Sequence, residues 1–92
     1  MENREILIEL RNKLEDQRND HYMCWILKDM GIECDFLKAS GIEAMWIEMG
    51  HNTELSAYQL NENHPAYFTN YSNGLREEKI KCINLLLERD YK

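Results

Sequence analysis

One proline and four glycines, at position 65 and at 31, 41, 50 and 74, are the strongest backbone breakers in this chain of 92 residues. Elsewhere, apolar side chains recur at spacings of three and four. A sheet of short strands needs many more turn residues, and its apolar residues alternate. The period here is that of helices laid against a core. The sequence therefore reads as all-α, a single helical domain over residues 1–92. It has four main helices in a compact orthogonal or bundle-like arrangement, with a Tyr/Asn-rich connector before the last.

The helices can be followed along the chain. Glu2–Gln17 carries Ile6, Leu7, Leu10 and Leu14 in one stripe, with Ile8 off it; Glu9–Lys13 and Glu15–Arg18 are favourable neighbours on the polar face. Asn19 or Asp20 caps a second helix, His21–Met30, that stops at Gly31 as its C′ residue. Its run Tyr22-Met23-Cys24-Trp25-Ile26-Leu27 is apolar all round, which predicts a central helix; a six-residue apolar run also suits a strand, and the flanking cap and helical neighbours favour the helix. Phe36 and Leu37 anchor a short helical turn capped by Asp35. Ser40-Gly41-Ile42-Glu43 reads as a capping box opening a third helix that ends at Gly50 and carries Ile42, Met45, Trp46 and Met49 on one face. Asn52 or Thr53 caps a short helix with Leu55, Tyr58 and Leu60, and Asn61 to Pro65 breaks it. Ser72 or Asn73 caps the last helix, Leu75 to about Tyr91, with the stripe Ile80, Ile83, Leu86 and Leu87. Trp25 and Trp46 are both expected inside, with Leu10, Leu27, Met45, Ile80, Ile83 and Leu87.

Charge is distributed unevenly. From Met30 to Leu75 there are six acids, Glu33, Asp35, Glu43, Glu48, Glu54 and Glu62, against Lys38 alone, so this region carries 1 − 6 = −5 of the chain's −6. An excess confined to one region points to a partner of opposite sign and away from nucleic acid. The basic residues of the last helix, Arg76, Lys79, Lys81, Arg89 and Lys92, are accompanied by four acids and form no basic stripe. The N-terminus has acids where a secretory signal needs positive charge, and the longest apolar run, Tyr22 to Leu27, is far short of a membrane span. The expectation is a cytoplasmic protein with no membrane partner. Cys24, Cys34 and Cys82 then read as buried thiols.

No catalytic pattern stands out. His21 and Cys24, with Cys34, His51, His64 and Cys82, are zinc-ligand types, but their spacing matches no finger or ribbon, so no metal is expected. A cysteine nucleophile needs a lowered pKa, and Cys24 sits in the most apolar run. The carboxylates are spread singly, without the tight grouping of a magnesium site, and a solvated face is their ordinary reading. The methionines and tryptophans fall at core spacing before they suggest a binding groove. The glycines never cluster into a phosphate loop. No cofactor and no enzymatic activity are expected.

The sharper signal is Tyr58 to Asn73, with three Tyr, one Phe, four Asn and one His in sixteen residues. Tyr offers contact area at low entropy cost and Asn adaptable hydrogen bonding. A long connector packing its aromatics onto the helices is the competing reading.

Cys24-Trp25-Ile26-Leu27, then Tyr67-Phe68, then Arg76 through Leu87 form a pattern that resembles small helical accessory proteins of tailed phages of gut bacteria. The aromatic cluster departs from theirs in being Tyr/Phe rather than Trp-rich. The resemblance spans most of the chain, brings no catalytic residues with it, and implies a phage protein that binds and inhibits a host factor, in some cases a defence protein. The partner-binding set read from the residues is Glu43, Glu48, Glu54, Tyr58, Glu62, Tyr67 and Tyr71. Two alternatives differ in class. One is an oligomeric sponge for a nucleotide signal, with Arg76 at the start of the last helix as a candidate anion site. The other is an assembly module in which the Ile6 to Leu14 face, with Ile8, pairs with a second copy as a homodimer.

Overall fold

The computed structural model describes residues 2–16, 18, 22–50 and 74–92, with the backbone alone for 74 and 75. Every described element is a helix: α1 Asn3–Glu15, α2 Met23–Asp29, α3 Phe36–Ala39, α4 Ile42–Glu48 and α5 Gly74–Asp90. The fold is all-α.

The two long helices form the frame. Ile6, Leu7, Leu10 and Leu14 of α1 are buried, as their spacing predicts. They face α5, whose Cys82, Ile83 and Leu86 are also buried, with Ile80 and Leu87 packed at the edge of the same core. Each fully buried aliphatic side chain contributes about 1.5–3 kcal/mol relative to exposure, so this seam is the largest apolar block of the described structure. Polar contacts fix the pair antiparallel. Arg76 Nη1, at the start of α5, donates to the Leu14 carbonyl at the end of α1 (2.7 Å). Arg4 Nε, at the start of α1, donates to the Tyr91 carbonyl beyond the end of α5 (3.0 Å). Midway, Arg11 Nη1 donates to Asn84 Oδ1 (3.1 Å). The α1 stripe is therefore consumed within the chain and is not available to pair with a second copy; Ile8 is half-buried beside it.

The short helices close over this frame. On α4, Ile42, Met45 and Trp46 are buried, with Trp46 fully so, and Met49 is packed against the core. The α4 helix lies across the C-terminal half of α5. The Cys82 thiol donates to the Ile42 carbonyl (3.5 Å), and the Tyr91 hydroxyl donates to the Ser40 carbonyl (2.8 Å).

Three local expectations change. The capping box does not form. Ser40 closes α3 as its C-cap in helical geometry, so the N-cap of α4 is Gly41 in the left-handed region, and Ser40 Oγ accepts from the Ile42 amide (3.4 Å). Asp35 occupies the N-cap position of α3 but makes no side-chain cap bond. Glu15 does not pair with Arg18; the Arg18 guanidinium forks onto Asp16 instead (3.0 and 3.1 Å). The expected caps Asn19, Asp20, Asn52, Thr53, Ser72 and Asn73, and the helix expected around Leu55 to Leu60, lie outside the described residues.

Gly41 combines two demands. Its φ is +99°, and a Cβ there would stand 3.3 Å from Leu86 Cδ1. Gly41→Ala should cost about 1–2 kcal/mol, from left-handed strain plus displacement of Leu86, read as a lower urea midpoint at unchanged slope. Trp46→Ala should cost about 3–5 kcal/mol, close to the whole stability of a small domain, and give a protein with no cooperative melt.

Candidate functional site

The α2 helix does not sit centrally. Met23, Cys24, Ile26 and Leu27 are buried, but Trp25 is 38% exposed, the most exposed large apolar side chain described together with Ile47 and Leu85. The expectation of a core Trp25 fails for a geometric reason. At about 100° per residue, residue 25 falls on the arc between Lys28 and Asp29, and both of those face solvent. A six-residue apolar run does not complete two turns, and the polar residues that follow it identify its outer side. Trp25 stands edge-on to Tyr22, with ring centroids 5.4 Å apart and planes at 77°. Tyr22 is itself buried, and Lys79 Nζ lies 5.5 Å from its ring centroid in a cation–π contact.

The chain leaves α2 through a Schellman turn. Gly31 has φ +78°, its amide donates to the Lys28 carbonyl (3.0 Å), and the Ile32 amide donates to the Leu27 carbonyl (2.8 Å). This is the C′ role expected of Gly31. The turn then presents Glu33 and Asp35 to solvent before α3 begins. Trp25, Lys28, Asp29, Gly31, Glu33 and Asp35 are the exposed positions of α2 and the turn that follows it.

Cys24 and Cys34 do not stand as separate buried thiols. They are joined as a disulfide across this turn, with Cα atoms 5.2 Å apart. Neither spacing nor composition distinguished this pair from the other two pairings of three cysteines. Cys82 is the described free thiol. It is fully buried, and desolvation, helped by the nearby Glu78 charge, pushes its pKa up to about 12.

Of the expected partner-binding residues, Glu43 is half-buried near the start of α4, and Glu48 is exposed near its end. Glu48 accepts from Arg89 Nη1 (2.7 Å), and this contact holds the Arg89 guanidinium further above its ordinary pKa. Glu48 also lines an open groove of about 600 Å³ between α4 and α5, floored by Met45, Met49 and Leu85. Glu43 and Glu48 point to different sides of α4, so the structure does not gather them into one patch. Glu54, Tyr58, Glu62, Tyr67 and Tyr71 lie outside the described residues, as do His21, His51 and His64. The guanidinium of Arg76, expected at an anion site, donates instead to the carbonyls of Leu14 and Asp16, where its charge complements the carboxyl end of α1. Among the described residues, no group of three or more His, Cys, Asp or Glu could hold a metal ion, and no helix is long and apolar enough to cross a membrane.

Two outcomes follow. Trp25→Ala should lower stability by only about 1 kcal/mol, an effect of lost edge contact and partial burial, and keep a cooperative melt. Cys82 should resist alkylation in the native protein and react once unfolded. Because its folded pKa is raised, the stability it contributes is present below the unfolded value near 9 and is lost as pH rises from there towards 12. Cys82→Ala should therefore flatten the alkaline fall of the melting temperature.

No family model, curated protein or solved structure matches this chain.

Proposed function

We propose that the protein is a non-enzymatic binding protein whose contact surface is the outer side of α2 and the turn after it, with Trp25 as the anchor and Asp29, Glu33 and Asp35 as its acidic surround. The partner is a basic protein surface. The phage resemblance makes that partner a host protein, inhibited in the host cytoplasm. Glu43 and Glu48, which diverge on α4, are left out of this surface, and Glu54 and Glu62, with Tyr58, Tyr67 and Tyr71, belong to the same proposal as its expected extension.

The observation that carries this reading is the exposure of Trp25. Tryptophan is the residue most enriched at the energetic centres of interfaces, where a large ring fills a pocket and neighbouring contacts exclude water. A local charge of −5 over residues 30–75 adds long-range steering towards a cationic partner. The two contributions separate in a binding experiment. The ring governs dissociation, and the carboxylates govern association and its salt dependence.

The test is affinity capture from a bacterial host lysate, followed by kinetics with the captured protein. Trp25→Ala should weaken binding at least about tenfold, mainly through faster dissociation. A Glu33→Lys/Asp35→Lys double variant should slow association and flatten its dependence on ionic strength. A folded Trp25→Ala protein that binds as wild type would refute the assignment of this surface.

A further inference from the structure

We propose that Cys24 and Cys34 are a reversible thiol–disulfide couple that sets the order of the loop carrying Trp25, Asp29 and Glu33. All three residues lie within the eleven-residue span from Cys24 to Cys34 that the bond closes, a sequence separation of 10. The couple is therefore a regulator of the contact surface proposed above, and its bearing on binding rests on that reading.

The two sulfurs differ in access. Cys24, in the first turn of α2, is 3% exposed, whereas Cys34, in the turn before α3, is only partly buried. A small thiol such as glutathione therefore meets Cys34 first. Its thiolate attacks Cys34 Sγ, the S–S bond breaks, and the electron pair leaves on Cys24 sulfur, which takes a proton from water. A second glutathione thiolate attacks the glutathione sulfur of the mixed disulfide and releases Cys34 as a thiolate, protonated in turn by water. The sum is one protein disulfide and two glutathione thiols giving two protein thiols and one glutathione disulfide, a two-electron exchange. Oxidised glutathione drives the reverse.

Reduction leaves both cysteines in place. The Cα separation of 5.2 Å lies within the range a disulfide spans, so the folded backbone need not rearrange for the bond to form again. What the loop loses is its covalent closure. Its helical part keeps the burial of Ile26 and Leu27, and the turn after it keeps the two Schellman hydrogen bonds and the packing of Met30 and Ile32 against the core. Its remaining polar groups, Lys28, Asp29 and Glu33, are exposed and add little to hold it. The α1–α5 frame has no part in the bond. Cys82 lies on that frame with its thiol buried and donating to the Ile42 carbonyl, so it does not compete for the exchange. Disulfides that form in glutathione-buffered compartments are usually transient and redox-sensing, which fits the cytoplasmic setting of the proposal.

The experiment equilibrates the full chain across glutathione/glutathione disulfide ratios, traps free thiols with a maleimide, and counts adducts by intact mass. Two adducts should appear together in one two-electron transition, with a third only after denaturation. Amide hydrogen exchange on the two end states should show residues 25–34 exchanging at least about tenfold faster when reduced, with the centres of α1 and α5 unchanged. The Cys34→Ser protein should reproduce the reduced exchange pattern without reductant and melt about 10 °C below the oxidised form. Adducts that accumulate one at a time, thiols that stay free in excess glutathione disulfide, or equal exchange of residues 25–34 in both states would overturn the proposal. A Trp25→Ala protein that binds as wild type refutes the contact surface instead and leaves the titration and exchange results standing.

Discussion

The antiparallel seam between α1 and α5 is the contact on which the rest of the described structure depends. These helices have 13 and 17 residues, the other described helices seven or fewer. Isolated helices of seven residues are far below the length at which propensity alone sustains them in water. The α2, α3 and α4 helices persist because they have a preformed apolar surface to cover. Two arginines at opposite ends hold the frame in register. Arg76 meets carbonyls at the end of α1, and Arg4 meets one at the end of α5. Each places a cation where a helix carboxyl end has unfilled acceptors and partial negative charge. The hydrophobic seam supplies the energy and is not directional, whereas the arginines allow one orientation and one register.

The acidic residues follow from the same division. Glu33 and Asp35 occupy the turn where a short helix ends and the next begins, and such turns must face water because their backbone groups cannot all be satisfied inside. Charge there costs the fold little and remains available to a partner. The inner side of α2 is held by Met23, Cys24, Ile26 and Leu27, which leaves its outer side and the turn to water.

How much of this was legible in the sequence depended on helix length. The stripes of α1 and α5 run for several turns, so Ile6, Leu7, Leu10, Leu14, Ile83 and Leu86 could be assigned to the core from period alone. The third stripe, through Ile42, Met45 and Trp46, was also legible, and so was the role of Gly31. Failures gathered where an element is short. The apolar run around Trp25 is too brief to define a face, and the ring lies outward. Ser40 matches the start of one helix but closes another, because residues 36–39 form a complete turn whose end overlaps the capping pattern. The pairing of Cys24 with Cys34 depends on how the Gly31 turn folds back, which a count of three cysteines does not encode. Of the partner-binding set, only Glu43 and Glu48 fall on described residues, and they diverge on α4.

The two tryptophans show how the same side chain takes opposite duties. Trp46 is flanked in helical projection by Ile42, Met45 and Met49, so the ring enters the core. Trp25 is flanked by Lys28 and Asp29, so the ring stays at the surface. A partly exposed aromatic is useful to a partner only if it is already held in the bound geometry, since ordering it on contact subtracts from affinity. Here the holding comes from three sources of different strength. Tyr22 packs edge-on beneath the ring, the Schellman bonds close the end of α2, and the Cys24–Cys34 bond fastens the turn to the first turn of the helix. The first two are intrinsic to the folded chain. Under the proposed thiol–disulfide couple the third depends on the thiol balance of the surroundings, which would make preorganisation of the proposed surface a function of redox state without any change in its residues.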